Sequence, residues 1–485
     1  MTVANGDAST LGDSDGLSIA YVGGGSRQWA PALVRDLALA DLDGDVRLYD
    51  VNVESAERNA EFGNWVQDRD EAVADWSYEA TDDLDEALSG ADAVIVSTQF
   101  DPTETFVPDL DVPKEYGIYG AVAATIGPGG IFRAMRTIPL YREFAAAIRE
   151  HCPEAWVFNY TNPVTFVTRA LYDEFPEINA IGLCHEVLGT RHRLAEYASE
   201  HLGMDASRED VSVNVKGINH FTWVDEARCE GVDLWPLLEE LAEGEEARRE
   251  FTAEDLEGES VFTDNWQVTW ELFRRFGVLP AAGDRHLVEY ATWFIQGGQE
   301  TLDRWGVKRT GSDYRAKHWT PAESKQTTDV EAWMSGDREF ALEPSNETFV
   351  DVLGALTGDG PFVTNVNLPN EGQVEDLQSG AVVETNAVVR ENEVKPLAAG
   401  GFPRPVRSLV RGHVDVQETV VEASRTGDVD AAFEGFLLDQ QVRTLSPEDA
   451  RELFAELVVA EEAYLDGWDL DASDVLAESS AYPTE

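Results

Sequence analysis

The stretch Leu17-Ser18-Ile19-Ala20-Tyr21-Val22-Gly23-Gly24-Gly25-Ser26 decides how the rest of the chain is read. Its first six residues form the near-continuous apolar run of a strand buried on both faces, and three glycines then break it sharply. From Pro31 the residues Leu33, Val34, Leu37 and Ala38 recur at helical spacing. Strand, glycine turn and helix together are the context in which backbone N–H groups at a helix start cradle a pyrophosphate, so Gly23, Gly25 and Ser26 are candidate cofactor contacts. A second strand, Val46-Arg47-Leu48-Tyr49, ends at Asp50, where an acid can take a ribose hydroxyl. Gln28 stands where a strict Gly-x-Gly-x-x-Gly would have its third glycine, and a tight turn without a ligand is the bland alternative.

The same pattern continues outward. The strand Ala91 to Thr98 runs into a long loop, Gln99 to Pro113, and Gly127-Pro128-Gly129-Gly130 precedes a periodic helix carrying Arg133 and Arg136. Ala155-Trp156-Val157-Phe158 spills into Asn159-Tyr160-Thr161-Asn162-Pro163, with Pro163 opening the next helix. Asn162 can bind a sugar or ribose hydroxyl, or simply cap that helix. Ile178 to Ile181 then delivers a thiol, an imidazole and a carboxylate into one loop, Gly182-Leu183-Cys184-His185-Glu186-Val187. Loops at the ends of buried strands are where chemistry collects on α/β scaffolds, and Cys and His are both metal ligands. The helix Val187 to His201 closes this half.

With 485 residues the chain exceeds the size of one hydrophobic core. The expected division is a flexible tail over 1–16, a Rossmann-like doubly wound sheet over 17–204, and an α+β domain over 205–485 that carries substrate, metal and oligomer contacts. In the second part, Val211 to Val215 alternates like a strand before Gly217-Ile218-Asn219-His220, and Ala281-Ala282-Gly283-Asp284-Arg285-His286 interrupts a helical region. A histidine among apolar neighbours, as His220 is, most often belongs to the core. Val363 to Asn367 and Ala381 to Glu384 are strand-like, and Val414 to Ser424 and Pro447 to Ala463 are amphipathic helices.

Thirty-six basic residues, six of them lysine, stand against 93 acidic ones, for a formal net charge of -57. The acids are spread over the whole sequence, which predicts a carboxylate-covered surface and a host with a saline interior, since self-repulsion of this size needs screening. Nucleic acid is excluded as a partner for want of a basic patch. No apolar run reaches the roughly 18 residues of a membrane span, and Met1 to Gly16 is unlike a signal peptide, so a cytoplasmic protein is expected. Three scattered cysteines, Cys152, Cys184 and Cys229, build no disulfide framework.

The turn Gly23 to Ser26, Asn159-Tyr160-Thr161-Asn162-Pro163, Gly182-Leu183-Cys184-His185-Glu186-Val187, Ile218-Asn219-His220 and Asn365-Val366-Asn367-Leu368-Pro369-Asn370-Glu371-Gly372-Gln373 resemble, in order, the signatures of family-4 glycoside hydrolases. The resemblance implies a lactate/malate-dehydrogenase-like fold, a retained NAD and a divalent metal, usually manganese, held by Cys184 and His220. Ligand softness alone would favour zinc. It implies hydride transfer from carbon 3 to NAD, metal-assisted loss of the carbon 2 proton, elimination, and return of the hydride, outside the usual two-carboxylate scheme. Asp284 matches the base of the plain α-glucosidase members, although a carboxylate near its usual pKa of about 3.9 is a feeble base. His185 stands where phospho-sugar members have an acidic proton donor, so it either donates the proton or, with Glu186, contacts the sugar. Cys-His-Glu-Val looks like the α-glucosidase subset. The expectation is therefore an unphosphorylated α-glucoside, with α-galactoside or α-galacturonide second, and a homodimer or homotetramer by resemblance. A lactate/malate-type dehydrogenase and a silent NAD and sugar sensor are the readings from other classes.

Overall fold

The computed structural model describes residues 16–99, 103–318, 325–345 and 347–481. The tail expected over 1–16 lies outside the described residues except for Gly16. Six strands, β1 (Leu17–Val22), β2 (Gly44–Tyr49), β3 (Trp76–Thr81), β4 (Ala93–Val96), β5 (Trp156–Asn159) and β6 (Asn179–Gly182), form a parallel sheet in the order 3-2-1-4-5-6. This is the doubly wound arrangement expected from the sequence, with its crevice where the order reverses between β1 and β4. Alternation of side chains explains the apolar runs. Leu17, Ile19 and Tyr21 enter the core beneath the Trp29–Ala38 helix, while Ala20 and Val22 enter the opposite one beneath the Gly127–His151 helix.

The sheet does not stop at β6. The later strands are β7 (Val211–Ile218), β8 (Phe221–Cys229), β9 (Val232–Asp233), β10 (Leu279–Pro280), β11 (Phe362–Pro369), β12 (Val382–Arg390) and β13 (Glu393–Pro396). β11 adds antiparallel to β6 through Asn367 opposite Gly182, and β12, β7, β8 and β10 follow outward. Gly182, Asn367, Glu384 and Gly217 thus stand in one row across four neighbouring strands. That row joins the two halves of the sequence.

Two expectations are corrected. The supposed loop from Gln99 to Pro113 is helical over Thr103–Glu115, with Pro108 and Pro113 inside it, while residues 100–102 lie outside the described set. Burial of Phe106 and Leu110 outweighs the cost of an interior proline, about 3 kcal/mol. Gly127 to Gly130 do not precede the helix but make its first turn. The C-terminal helices Arg404–Ala423, Val429–Leu438 and Pro447–Glu461 return to the first half, where Val420, Phe436, Phe454 and Leu457 share a core with Ile131 and Phe132. Those apolar faces pack within the chain.

Candidate active site

Loops from β1, β4, β5 and β6 leave the same edge of the parallel sheet. At β1, Gly23 adopts φ +93°, and a Cβ there would lie 2.3 Å from the Ser97 carbonyl oxygen after β4, so only glycine fits the switch point. The N–H groups of Gly23 and Gly24 donate to the Tyr49 carbonyl at 2.9 and 2.8 Å. Gly25 N–H donates to Asp50 Oδ2 at 2.9 Å, and Asn52 N–H to Oδ1 at 2.9 Å. Asp50 therefore stands at the end of β2 against the turn, as its spacing predicted. Ser26 Oγ accepts from the Trp29 N–H at 3.1 Å and caps the following helix. Asn59, which the sequence did not single out, fixes the turn from below by donating to the Gly24 and Ser26 carbonyls at 2.7 and 2.9 Å. Beside the turn, burial and the like charge of Arg58 both lower the Arg27 pKa. Two neighbouring guanidiniums at a glycine turn fit a diphosphate.

The metal candidates come from loops far apart in sequence. Cys184 follows β6 by two residues, and His220 lies in the hairpin between β7 and β8, preceded by a cis Asn219-His220 peptide. The Asn219 side chain donates to Glu384 Oε2 at 3.2 Å. Asn365 Nδ2 reaches Glu384 Oε1 at 2.6 Å and the Cys184 carbonyl at 3.4 Å. His220 Nδ1 is hydrogen-bonded to Thr125 Oγ1 at 3.1 Å, and its N–H donates to the Tyr290 hydroxyl at 2.9 Å, which in turn donates to the Asn219 carbonyl at 2.8 Å. Engagement of Nδ1 leaves Nε2 for a ligand.

Burial dominates the electrostatics at this end. Burial, and then the charges of Glu384 and Glu186, push the Cys184 thiol well above its usual range. Burial likewise pushes Glu384 up to about 7, against the hydrogen bonds of Asn219, Asn365 and Asn367. His220 is held well below its usual value by burial and by His286, whose ring stacks on it at 4.2 Å. A buried thiol and a neutral imidazole suit a divalent cation, whose charge would offset the penalty on the thiolate while the imidazole already has the neutral form that binds a metal.

The remaining candidates divide. Glu186 gathers the cluster: Oε2 accepts from Gly283 N–H at 2.6 Å and Oε1 faces His286 Nε2 at 3.5 Å. Burial raises its pKa, but the charge of His286 and its hydrogen bond, with His220 and His185 behind, bring it well below the usual range. The His185 side chain is 53% exposed, lies 3.8 Å from both Glu186 and Glu347, and faces Trp29, which packs on Tyr160. Asn162 Oδ1 is buried without a partner among the described residues, as an acceptor awaiting a hydroxyl would be. Asp284 is differently employed. Its oxygens accept from Val268 N–H, Thr269 N–H and Thr269 Oγ1 at 3.0, 2.9 and 2.8 Å, closing the N-terminus of the Gln267–Phe276 helix. Burial raises its pKa, and that of the adjoining Asp264 as well. Asp284 neither caps its own helix nor presents a free oxygen. Glu384 could have been found in the sequence as the one carboxylate ending the apolar run from Ala381 to Val383, whereas nothing local marks Thr125.

A doubly wound sheet whose crevice carries a glycine turn, extended by antiparallel strands from the second half, defines a dinucleotide-fold protein. The chain belongs to the family 4 glycosyl hydrolases and is a glycosidase: the family's profile matches residues 18–200, and that of the family's C-terminal domain matches 215–442. It is similar to an α-galacturonidase of Thermoanaerobacter italicus, 41% identical over 94% of this chain and 98% of the relative. The crystal structure of lplD from Bacillus subtilis superposes with TM-score 0.84 at 39% identity, covering 92% of this chain and all of that one. A 6-phospho-α-glucosidase from gut microorganisms, solved with NAD and Mn2+, has the same fold at TM-score 0.74 and 21% identity, over 93% and 99% of the two chains.

Proposed function

We propose that this protein hydrolyses an unphosphorylated α-galacturonide, using a retained NAD and a divalent metal, with manganese the first candidate. The observation that carries the reading is the Glu384 carboxylate, which accepts from Asn219 at 3.2 Å and from Asn365 at 2.6 Å while Asn365 also reaches the Cys184 carbonyl at 3.4 Å, so that one buried group ties the loops of residues 184 and 220 together. The α-glucoside preference drawn from Cys184-His185-Glu186-Val187 gives way to the alternative, supported by the galacturonidase relative. Physically, four residues in one loop present two or three groups to a sugar, and selectivity is shared with contacts from other elements.

When bound, NAD supplies reversible hydride acceptance at a sugar carbon, and the metal supplies Lewis acidity toward the adjoining oxygens. Gly23, Gly25, Ser26 and Asp50 hold the dinucleotide, and Cys184 and His220 hold the metal. Thr125 fixes the orientation of His220, Asn365 holds the Cys184 carbonyl, and Glu384 anchors both Asn365 and Asn219. Asn162 offers its free Oδ1 to a hydroxyl. His185, exposed and flanked by Glu186 and Glu347, gives a proton to the departing oxygen. The base is assigned to His286, beside His220 and facing Glu186, in place of Asp284, whose oxygens close a helix.

The test begins by stripping metal with chelator, then resupplying Mn2+, NAD and thiol before offering aryl α-galacturonide, α-galactoside and α-glucoside. Turnover restored only by both cofactors, fastest on the galacturonide, with deuterium from solvent entering carbon 2, is the expected result. Undiminished hydrolysis by the stripped protein, or a faster glucoside, overturns it.

A further inference from the structure

We infer that Arg285 is the residue that receives the carboxylate of the sugar and so sets the preference for a uronide over a neutral glycoside. The inference rests on the galacturonide reading above and names the group responsible for it. Arg285 lies in the first turn of the Asp284–Tyr290 helix, between Asp284, whose carboxylate closes the neighbouring helix, and His286, whose ring stacks on His220. Its guanidinium is close enough to His220 to act on it electrostatically. It sits 4.7 Å over the ring of Phe262, which is 56% exposed.

What distinguishes Arg285 is its lack of a counter-ion. Among the described residues it makes no hydrogen bond and no ion pair, although acids outnumber bases 93 to 36 in this chain. Arg193 is committed, pairing with Glu196 at 3.3 Å, and Arg309 donates through Nε to the Gly120 carbonyl at 2.9 Å while its Nη2 stays buried without a partner among the described residues. The cluster itself is acidic, with Glu186, Asp264 and Glu384 gathered near Cys184 and His220. A uronate entering such a site meets like charge on several sides unless a cation offsets it. A guanidinium held flat on an aromatic ring keeps its N–H edge available, and that edge matches a carboxylate with two parallel hydrogen bonds.

Wild type, Arg285→Met and Arg285→Gln are compared for kcat/KM on aryl α-galacturonide and aryl α-galactoside, and for inhibition by galacturonate and galactose. Both variants are expected to lower the uronide-to-galactoside ratio about 30-fold, mainly through KM, and to weaken galacturonate inhibition by a similar factor. Near-UV circular dichroism identifies any variant that fails to fold, in which case the other gives the ratio. A ratio within about twofold of wild type, in a protein that itself prefers the uronide, overturns the role of Arg285 alone. A wild type that prefers the neutral sugar overturns the substrate reading first, and the role of Arg285 with it.

Discussion

Thr125 engages His220 Nδ1 at 3.1 Å and so leaves Nε2 as the nitrogen that the proposed metal would take. Cys184→Ser keeps a small polar side chain but loses the soft thiolate, so kcat/KM is expected to fall at least about a hundredfold and Mn2+ binding to weaken. NAD binding, read by quenching of tryptophan fluorescence, should persist in that variant, and its loss would mean that residue 184 shapes the cofactor crevice instead. Asp284→Ala separates a helix-closing role from a chemical one. As the group closing the Gln267–Phe276 helix it should cost about 1–2 kcal/mol of stability. His286→Gln, by contrast, should suppress exchange of the carbon 2 proton while leaving the melting profile near that of wild type. Exchange lost in a folded Asp284→Asn but kept in His286→Gln returns the base to Asp284.

At the scale of elements, the C-terminal helices are fastened to the first half by buried polar groups as well as by apolar packing. Arg136 on the Gly127–His151 helix meets Asp109 at 2.8 Å and also pairs with Glu461, all three out of contact with solvent. Asp439, after the Val429–Leu438 helix, accepts from Gly127 N–H at 3.1 Å and Gln441 N–H at 2.8 Å, and burial pushes it up to about 6. A carboxyl whose folded pKa is raised contributes most below its unfolded value, and that contribution is lost as pH rises through the folded one. Asp439→Asn, which keeps an acceptor and carries no charge, should therefore gain on wild type by about 1–1.5 kcal/mol between pH 5 and 7.5 in denaturant titrations. An unchanged difference between the two pH values means that Asp439 is charged throughout. The Thr103–Glu115 helix shows why elements were only partly legible: Pro108 is a local signal for a break, and burial of Phe106 and Leu110 by a distant helix overrides it.

At the scale of the molecule, a formal net charge of -57 predicts that salt contributes to the stability of the fold. Molar KCl shortens the Debye length to about 3 Å, and the unfolding temperature is expected to rise steadily toward that concentration. A flat or falling profile would show that the acidic surface is tolerated without screening. The described residues contain no helix long and apolar enough to cross a membrane. The sequence by itself determined the parallel sheet, since strands buried on both faces must be apolar throughout, and it determined the turn after Val22, because three successive glycines break the apolar run. It also placed Cys184 in a loop at a strand end. Only tertiary structure decided that Thr125 would hold His220, 95 residues away, that Asp284 would close a helix other than its own, and that Glu384 would lie in one row with Gly182 and Gly217. Those outcomes depend on strand order and register, which bring together side chains that no local spacing relates.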